Sequence, residues 1–212
     1  MRLRQTWLAA TGLTALVGVG LSIPGLGIDP LGSQIGGWNL LAFWTNQSNL
    51  IVGITSLLLA VKVNSRSAAL RAAYLTGLAA IGLTFAATHT ILGDLPAAQS
   101  SMRIWLALRL CHDIAPLLAV VGWLLLGPRN IFAWRFIWVA VAYGLLYDAV
   151  TLIRGAYMNW YPYPSLDPRP NGYGVVFIRN AISWVQFAGF AAIFVALDRW
   201  SQRRRVAQRA VV

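Results

Sequence analysis

Long apolar runs, separated by short segments rich in glycine, proline and arginine, dominate the chain. Each run has about 17–25 residues, the length that an α-helix needs to cross the hydrocarbon core of a bilayer. The pattern predicts an all-α polytopic membrane protein with one domain, a bundle of six transmembrane helices. The predicted spans cover residues 7–23, 38–61, 72–92, 104–126, 134–152 and 174–197, and a basic tail follows at residues 199–212.

The composition agrees with a membrane protein. Of 212 residues, 58% are hydrophobic and only 11% are charged, which departs from the balance of an ordinary soluble domain. The formal net charge of +11 comes from basic residues that lie between alternate spans. Nucleic-acid binding is therefore not expected, because few aromatic side chains accompany the basic tail.

The distribution of arginine and lysine predicts the orientation. If the spans alternate, one side carries Arg2, Arg4, Lys62, Arg66, Arg71, Arg129, Arg135, Arg199, Arg203, Arg204, Arg205 and Arg209. The other side carries only Arg103, Arg154 and Arg169. The positive-inside rule then predicts a multi-pass protein of the cell (plasma) membrane with the N and C termini cytoplasmic and the tail on anionic headgroups.

Two classes of chemistry are disfavoured by residue counts. Cys111 is the only cysteine, so an intrachain disulfide is excluded. The chain has no glutamate, which removes His-Glu-x-x-His zinc chemistry and carboxylate-rich metal cages. We therefore expect no metal and no cofactor.

One polar interruption lies within the second predicted span, in the run Trp44-Thr45-Asn46-Gln47-Ser48-Asn49. Five consecutive hydrogen-bonding side chains are costly in hydrocarbon, where each donor and acceptor needs a protein partner. We therefore expect this run to face other helices or a wet cavity. Thr45 lies roughly 10 Å below the outer end of the span at 1.5 Å per residue.

The other spans place polar residues at a similar depth in the outer half. The third has His89, the fourth has Arg109, His112 and Asp113 on one face with Pro116, the fifth has Asp148, and the sixth has Arg179, Asn180, Ser183 and Gln186. Intramembrane ionisable groups are candidates for function by default. The alternative is that these side chains only form hydrogen bonds between helices.

Several pairings remain open from the sequence alone. Arg109 and Asp113 are spaced for a salt bridge along one helix. Asp148 and Arg179 suit either a buried ion pair or a supporting role around a site. His89 suits an interfacial residue or, with His112, a haem ligand pair, although a charged pair beside an axial ligand is not typical.

Three blocks give the chain a resemblance to a known family. They are Phe43-Trp44-Thr45-Asn46-Gln47-Ser48-Asn49-Leu50, His112 followed by Pro116, and Trp160-Tyr161-Pro162-Tyr163 with Leu166-Asp167. In order and spacing the chain resembles the androgen-induced and androgen-dependent transmembrane protein family, and more closely its bacterial six-span relatives. Animal members of that family are threonine-dependent hydrolases that cleave fatty acid esters of hydroxy fatty acids.

The resemblance implies Thr45 as the nucleophile and His112 as its base in a hydrolase of lipid metabolism. A neutral imidazole within hydrogen-bond reach can activate a hydroxyl. Asn46, Asn49 or Arg109 then qualify as oxyanion donors, and Asp148, rather than Asp113, as the group that orients His112. Further candidates are Arg179, His89 and Tyr161.

The expected partners are membrane lipids and a lipid ester substrate. The alternative function is a non-catalytic lipid-binding or transport protein that uses the same cavity. A haem-binding bundle is the third hypothesis.

Overall fold

The computed structural model describes residues 2–23, 37–62, 64–92, 102–170 and 172–210. Residues 24–36, between the first and second predicted spans, and residues 93–101, between the third and fourth, lie outside the described residues. The described part is helical, without strands, and confirms the all-α prediction. Its helices are α1 (Arg2–Ser22), α2 (Trp44–Val61), α3 (Ala68–Ala87), α4 (Met102–Arg109), α5 (Ala115–Leu126), α6 (Phe136–Met158) and α7 (Gly172–Ala210).

Four shorter helical segments complete the description. Gly37–Ala42 and Pro164–Leu166 are 3₁₀ helices, which precede α2 and α7 respectively. Thr88–Leu92 and Leu110–Ile114 are π-helical turns. The second π turn joins α4 to α5, so that these three pieces form one continuous segment from Met102 to Leu126.

Four segments are long and apolar enough to cross a membrane: Ala68–Thr90, Met102–Leu126, Phe136–Met158 and Gly172–Arg203. They correspond to the third to sixth predicted spans. The sequence of α1 begins with Arg2, Arg4 and Gln5, and α2 begins with the polar run, so both are less apolar than the other four.

Three boundaries differ from the hydropathy prediction. Helix α2 begins at Trp44, because the preceding residues Gly37–Ala42 wind as a 3₁₀ helix. Helix α6 continues to Met158 and ends where Asn159 takes a left-handed conformation with φ of 53°, a common helix stop. Helix α7 continues to Ala210, because alanine, arginine and glutamine are good helix formers whatever their hydropathy.

Side chains at both ends of α1 fix its alignment in the bundle. Near its start, Arg4 Nε donates to Leu126 O at 2.8 Å. Near its end, Arg103 Nε donates to Leu21 O at 3.1 Å. Helix α1 therefore runs antiparallel to the α4–α5 segment and extends along its full length.

A buried carboxylate fixes the turn between α5 and α6. Asp198 on α7 is fully buried and accepts hydrogen bonds from the backbone N–H groups of Asn130, Ile131 and Phe132 at 2.7, 2.8 and 2.9 Å. Asp198 therefore connects α7 to this turn, since its carboxylate satisfies three amides that helices α5 and α6 leave unpaired.

Glycines allow the first helices to approach closely. A Cβ atom on Gly77 of α3 would lie 2.9 Å from the backbone nitrogen of Val52 on α2 and 3.0 Å from its Cα. Backbone atoms within a helix cannot move aside as a flexible side chain can. Small residues at such crossings are typical of membrane helix packing.

We expect Gly77→Ala to lower the free energy of unfolding by about 1–3 kcal/mol, as overpacking does in a tight core. Gly189→Ala on α7 is the matched control, because its added Cβ would meet no atom within 4 Å. The measurement is equilibrium unfolding of both variants in mixed micelles. Equal stability of the two variants would contradict the close contact between α2 and α3.

Candidate functional site

The polar run at the start of α2 is satisfied almost entirely by protein groups. Asn46 Nδ2 donates to Leu40 O at 2.7 Å, and Gln47 Nε2 donates to Leu41 O at 2.8 Å. The Tyr143 hydroxyl of α6 donates to Gln47 Oε1 at 2.7 Å. These bonds fold the 3₁₀ helix back over α2 and attach both to α6.

Asn49 connects α2 to the fourth segment. Its Nδ2 donates to Thr45 O at 2.8 Å and to Cys111 O at 3.0 Å, and its side chain is fully buried. Both amide hydrogens are therefore used, one on each helix. This contact fixes the height of α2 relative to the π turn that contains Cys111.

The same alignment brings the two principal candidates into contact. Thr45 Oγ1 lies 3.2 Å from His112 Nε2. The other ring nitrogen, Nδ1, lies 3.0 Å from Leu108 O. Because a carbonyl can only accept, Nδ1 carries the hydrogen in the neutral ring, and Nε2 presents a lone pair to the Thr45 hydroxyl.

His112 lies in a π-helical turn, and the sequence contains a reason for that turn. Pro116 has no N–H to donate to the His112 carbonyl four residues earlier. The helix widens here, and the N–H of Ala115 bonds to Leu110 O, five residues back. Such turns occur frequently at functional sites, because they change the direction of a side chain on an otherwise regular helix.

Tyr163 is a site residue that the sequence analysis did not single out. Its hydroxyl accepts a hydrogen bond from the backbone N–H of Thr45 at 3.5 Å, and its ring packs edge-on against Phe43 with centroids 5.6 Å apart. Burial raises the pKa of the phenol, while hydrogen bonds from Thr45 act in the opposite direction. The phenol therefore stays protonated at neutral pH and keeps its own hydrogen available to donate.

The candidate Tyr161 lies elsewhere in the same loop. Its ring packs over Gly155, where a Cβ would come within 2.0 Å, and the Arg169 guanidinium lies 5.7 Å from its centroid. The loop is closed by Arg169, which donates to Asp167 and to Asn159. Tyr161 was a further candidate from the sequence, but in this loop it is the hydroxyl of Tyr163 that contacts Thr45.

A cavity of about 190 Å³ lies beside the Thr45–His112 pair. Thr45 and Tyr163 line it from one side, and residues of α3, α6 and α7 complete it. Most of the lining is apolar: its larger members include Trp44, Leu83, Leu166 and Phe187. His112 lies behind Thr45 and does not line this cavity.

Asp148 lines the cavity but does not orient His112, which corrects the expectation. Its Oδ2 accepts from Trp184 Nε1 at 2.7 Å, while both ring nitrogens of His112 have other partners. Of the two alternatives left open for Asp148 and Arg179, the buried ion pair is not formed among the described residues, since the Arg179 side chain is exposed on α7. Helix α6 positions Asp148 toward α7, away from α4.

Arg109, Asp113 and His89 form a separate cluster beside the two π-helical turns. Asp113 accepts from Arg109 Nη1 at 2.9 Å and lies 3.1 Å from His89 Nε2. The side chain of His89 is 46% exposed. The cluster connects the two π turns and contacts neither Thr45 nor the cavity, so it supports the site from outside.

The expected oxyanion donors are occupied. Both Asn46 and Asn49 use their amide nitrogens on backbone carbonyls, and Arg109 is paired with Asp113. These amides stabilise the buried polar run, and their N–H groups are not available to stabilise an oxyanion. The N–H of Thr45 is occupied as well, by the Tyr163 hydroxyl, so that hydroxyl is the donor that remains beside the Thr45 side chain.

The arrangement does not suit a metal or haem ligand set. Within the described ranges, no group of three or more histidine, cysteine or acidic side chains is close enough to hold a metal ion. His112 has both ring nitrogens engaged by Thr45 and Leu108, and His89 is paired with Asp113. The two histidines therefore do not face a common ligand.

The sequence contains a signal for only some of these site features. Pro116, four residues after His112, is a signal with which the irregular turn could have been found, and the Trp160-Tyr161-Pro162-Tyr163 segment is a signal for the aromatic loop that contains Tyr163.

Comparison with protein-family models, with curated proteins and with solved structures gives no match for this chain.

Asn49 offers a test of the contact between α2 and the π turn. Asn49→Leu removes both donors. Thr45 O still accepts from Ser48 Oγ, but the buried Cys111 carbonyl loses the Asn49 donor, a cost of about 1–3 kcal/mol. We expect local opening to expose Cys111, the only cysteine and 2% exposed, and to raise its rate of alkylation by N-ethylmaleimide about tenfold.

Asn46→Leu is the comparison variant, because the Asn46 amide bonds only to Leu40 within the same segment. Its alkylation rate is expected to stay near that of the unmodified protein. An unchanged rate in Asn49→Leu would show that Asn49 does not hold the two helices together.

Proposed function

We propose that this chain is an intramembrane hydrolase of lipid (fatty acid) esters with Thr45 as nucleophile and His112 as general base. The observation that carries the proposal is the 3.2 Å contact between Thr45 Oγ1 and His112 Nε2, with Nδ1 held by the Leu108 carbonyl. This tautomer is the one that can take the hydroxyl proton. A hydroxyl with an oriented base is the minimal arrangement for acyl transfer.

The reaction follows from that geometry. Thr45 Oγ1 attacks the ester carbonyl carbon, and its proton passes to His112 Nε2. The tetrahedral intermediate expels the alcohol, which takes the same proton from Nε2 and leaves the acyl group on Thr45. Water then attacks the acyl carbonyl, again giving a proton to Nε2. That proton returns to Thr45 Oγ1 as the fatty acid leaves.

One donor is available for the oxyanion, the Tyr163 hydroxyl, because the N–H of Thr45 already donates to it. The N–H of Thr45 lies at the start of α2, where backbone N–H groups have no partner within the helix. The Tyr163 hydroxyl accepts from that N–H and can itself donate to an oxygen in the cavity. Preorganised donors in a water-poor site contribute strongly to acyl transfer.

The proposed membrane arrangement has six spans with both termini in the cytoplasm. Four segments meet the length and composition of a span. Helix α1 pairs with both ends of the antiparallel α4–α5 segment through Arg4 and Arg103. Gln5 Nε2 donates to Ala60 O at 3.1 Å, at the opposite end of α2 from Thr45. Helices α1 and α2 therefore cover the same height as the four apolar segments, and the basic residues suit the cytoplasmic side of the plasma membrane.

The largely apolar cavity and the proposed placement in the outer half of the membrane favour an ester that reaches the site from the bilayer. The likeness to the androgen-induced and androgen-dependent transmembrane proteins supports the same reaction class. The cavity by itself also suits lipid binding or transport without hydrolysis. The two functions differ in whether Thr45 forms a covalent adduct.

We expect a fluorophosphonate probe to label the protein on Thr45, with the adduct located by peptide mass spectrometry. Thr45→Ala is expected to abolish labelling, and Thr45→Ser to retain it. His112→Ala is expected to slow labelling by on the order of 10²–10⁴-fold, the usual contribution of a general base.

Ser48→Ala is the matched control, because Ser48 Oγ lies one turn away and bonds to Thr45 O and Thr84 Oγ1. Its labelling is expected to match that of the unmodified protein. Labelling that persists in Thr45→Ala would exclude Thr45 as the nucleophile. A specific co-purified lipid without any labelling would favour the lipid-binding alternative.

A further inference from the structure

The part of the cavity wall formed by α6 and α7 contains polar groups that the proposed reaction does not use. Asp148 comes from α6, and Asn180 and Trp184 come from α7. Trp184 Nε1 donates to Asp148 Oδ2 at 2.7 Å, which fixes the carboxyl group. The other carboxyl oxygen has no hydrogen-bond donor among the described residues.

Asn180 provides an unused donor on the same wall. It is 5% exposed, and its buried Nδ2 has no hydrogen-bond partner among the described residues. A buried amide without a partner costs free energy unless a ligand supplies the acceptor. Its position one turn before Trp184 places it beside the Asp148 contact on α7.

The charge of the cavity restricts the ligand further. Asp148 is the only charged side chain among the described residues that line it. The neighbouring Arg179 is exposed on α7 and does not line the cavity. A carboxylate without a cation in a low-dielectric cavity disfavours an anionic ligand group and favours a hydrogen-bond donor.

We propose that Asp148, Asn180 and Trp184 form a polar subsite for a neutral hydroxyl group, so that the substrate is a hydroxyl-bearing ester such as a glyceride rather than an ester with a free carboxylate. The hydroxyl donates to Asp148 and accepts from Asn180. The placement of the ester at Thr45 rests on the proposed function, whereas the binding preference of the subsite does not.

The test uses two ethers that cannot be hydrolysed, so that binding is measured apart from catalysis. Hexadecyl glyceryl ether carries free hydroxyl groups, and hexadecyloxyacetic acid carries a carboxylate on the same chain. Their Kd values are measured at neutral pH by calorimetry with the protein in phosphatidylcholine nanodiscs. The Kd ratio of the two probes in each variant is compared with the ratio in the unmodified protein, which cancels their different partitioning into lipid.

In Asp148→Asn we expect the acid to bind on the order of tenfold more tightly relative to the glyceryl ether, because like-charge repulsion is removed. The substituted amide oxygen still accepts from Trp184, so the fold is retained. Asn180→Ala is expected to raise the Kd of the glyceryl ether by about threefold or more, because a buried hydrogen bond is lost.

Asp113→Asn is the control, because it also removes an acid but lies in the separate cluster with Arg109 and His89. It is expected to leave the ratio unchanged. If the Kd ratio is the same in Asp148→Asn and in the unmodified protein, the proposed subsite is wrong. It is also wrong if the protein binds neither ether. If the fluorophosphonate does not label the protein but the ethers show the expected preference, the proposed hydrolase function is wrong and the proposed subsite is still supported.

Discussion

The arrangement of the bundle depends on satisfying the polar first turns of α2 where water is scarce. Asn49 contributes most, because its two amide hydrogens are shared between Thr45 O on its own helix and Cys111 O on the neighbouring segment. A shift of one residue along either helix would break one of these bonds. Hydrogen-bond satisfaction therefore sets the relative height of two helices, which apolar packing in lipid sets only weakly.

That height determines the chemistry of the candidate site. With α2 fixed against the π turn, Thr45 Oγ1 meets His112 Nε2, and the carbonyl of Leu108 fixes the ring from the other side. A backbone carbonyl here takes the orienting position that a carboxylate holds in the serine protease triad. Asp148 is therefore not needed to orient His112, and we place it in a subsite for the ligand.

The helical architecture was predictable because apolar runs of span length leave few alternatives, and the polar run at residues 45–49 marked the site. Three features required the structure. The π-helical turn at His112 depends on a missing hydrogen bond at Pro116. Its effect on the direction of the His112 side chain is not visible in the hydropathy pattern. The position of Tyr163, rather than Tyr161, depends on loop geometry. The burial of Asp198 depends on three amides distant in sequence.

The most direct test of the Thr45–His112 contact is the tautomer of His112, read from ¹⁵N NMR of protein labelled at its two histidines, with His112→Gln used for assignment. The geometry predicts a neutral ring protonated at Nδ1, whose Nε2 resonance changes in Thr45→Val because the hydroxyl donor is lost. A ring protonated at Nε2 at neutral pH, or an Nε2 resonance that does not respond to Thr45→Val, would contradict the proposed role of His112 as the base for Thr45.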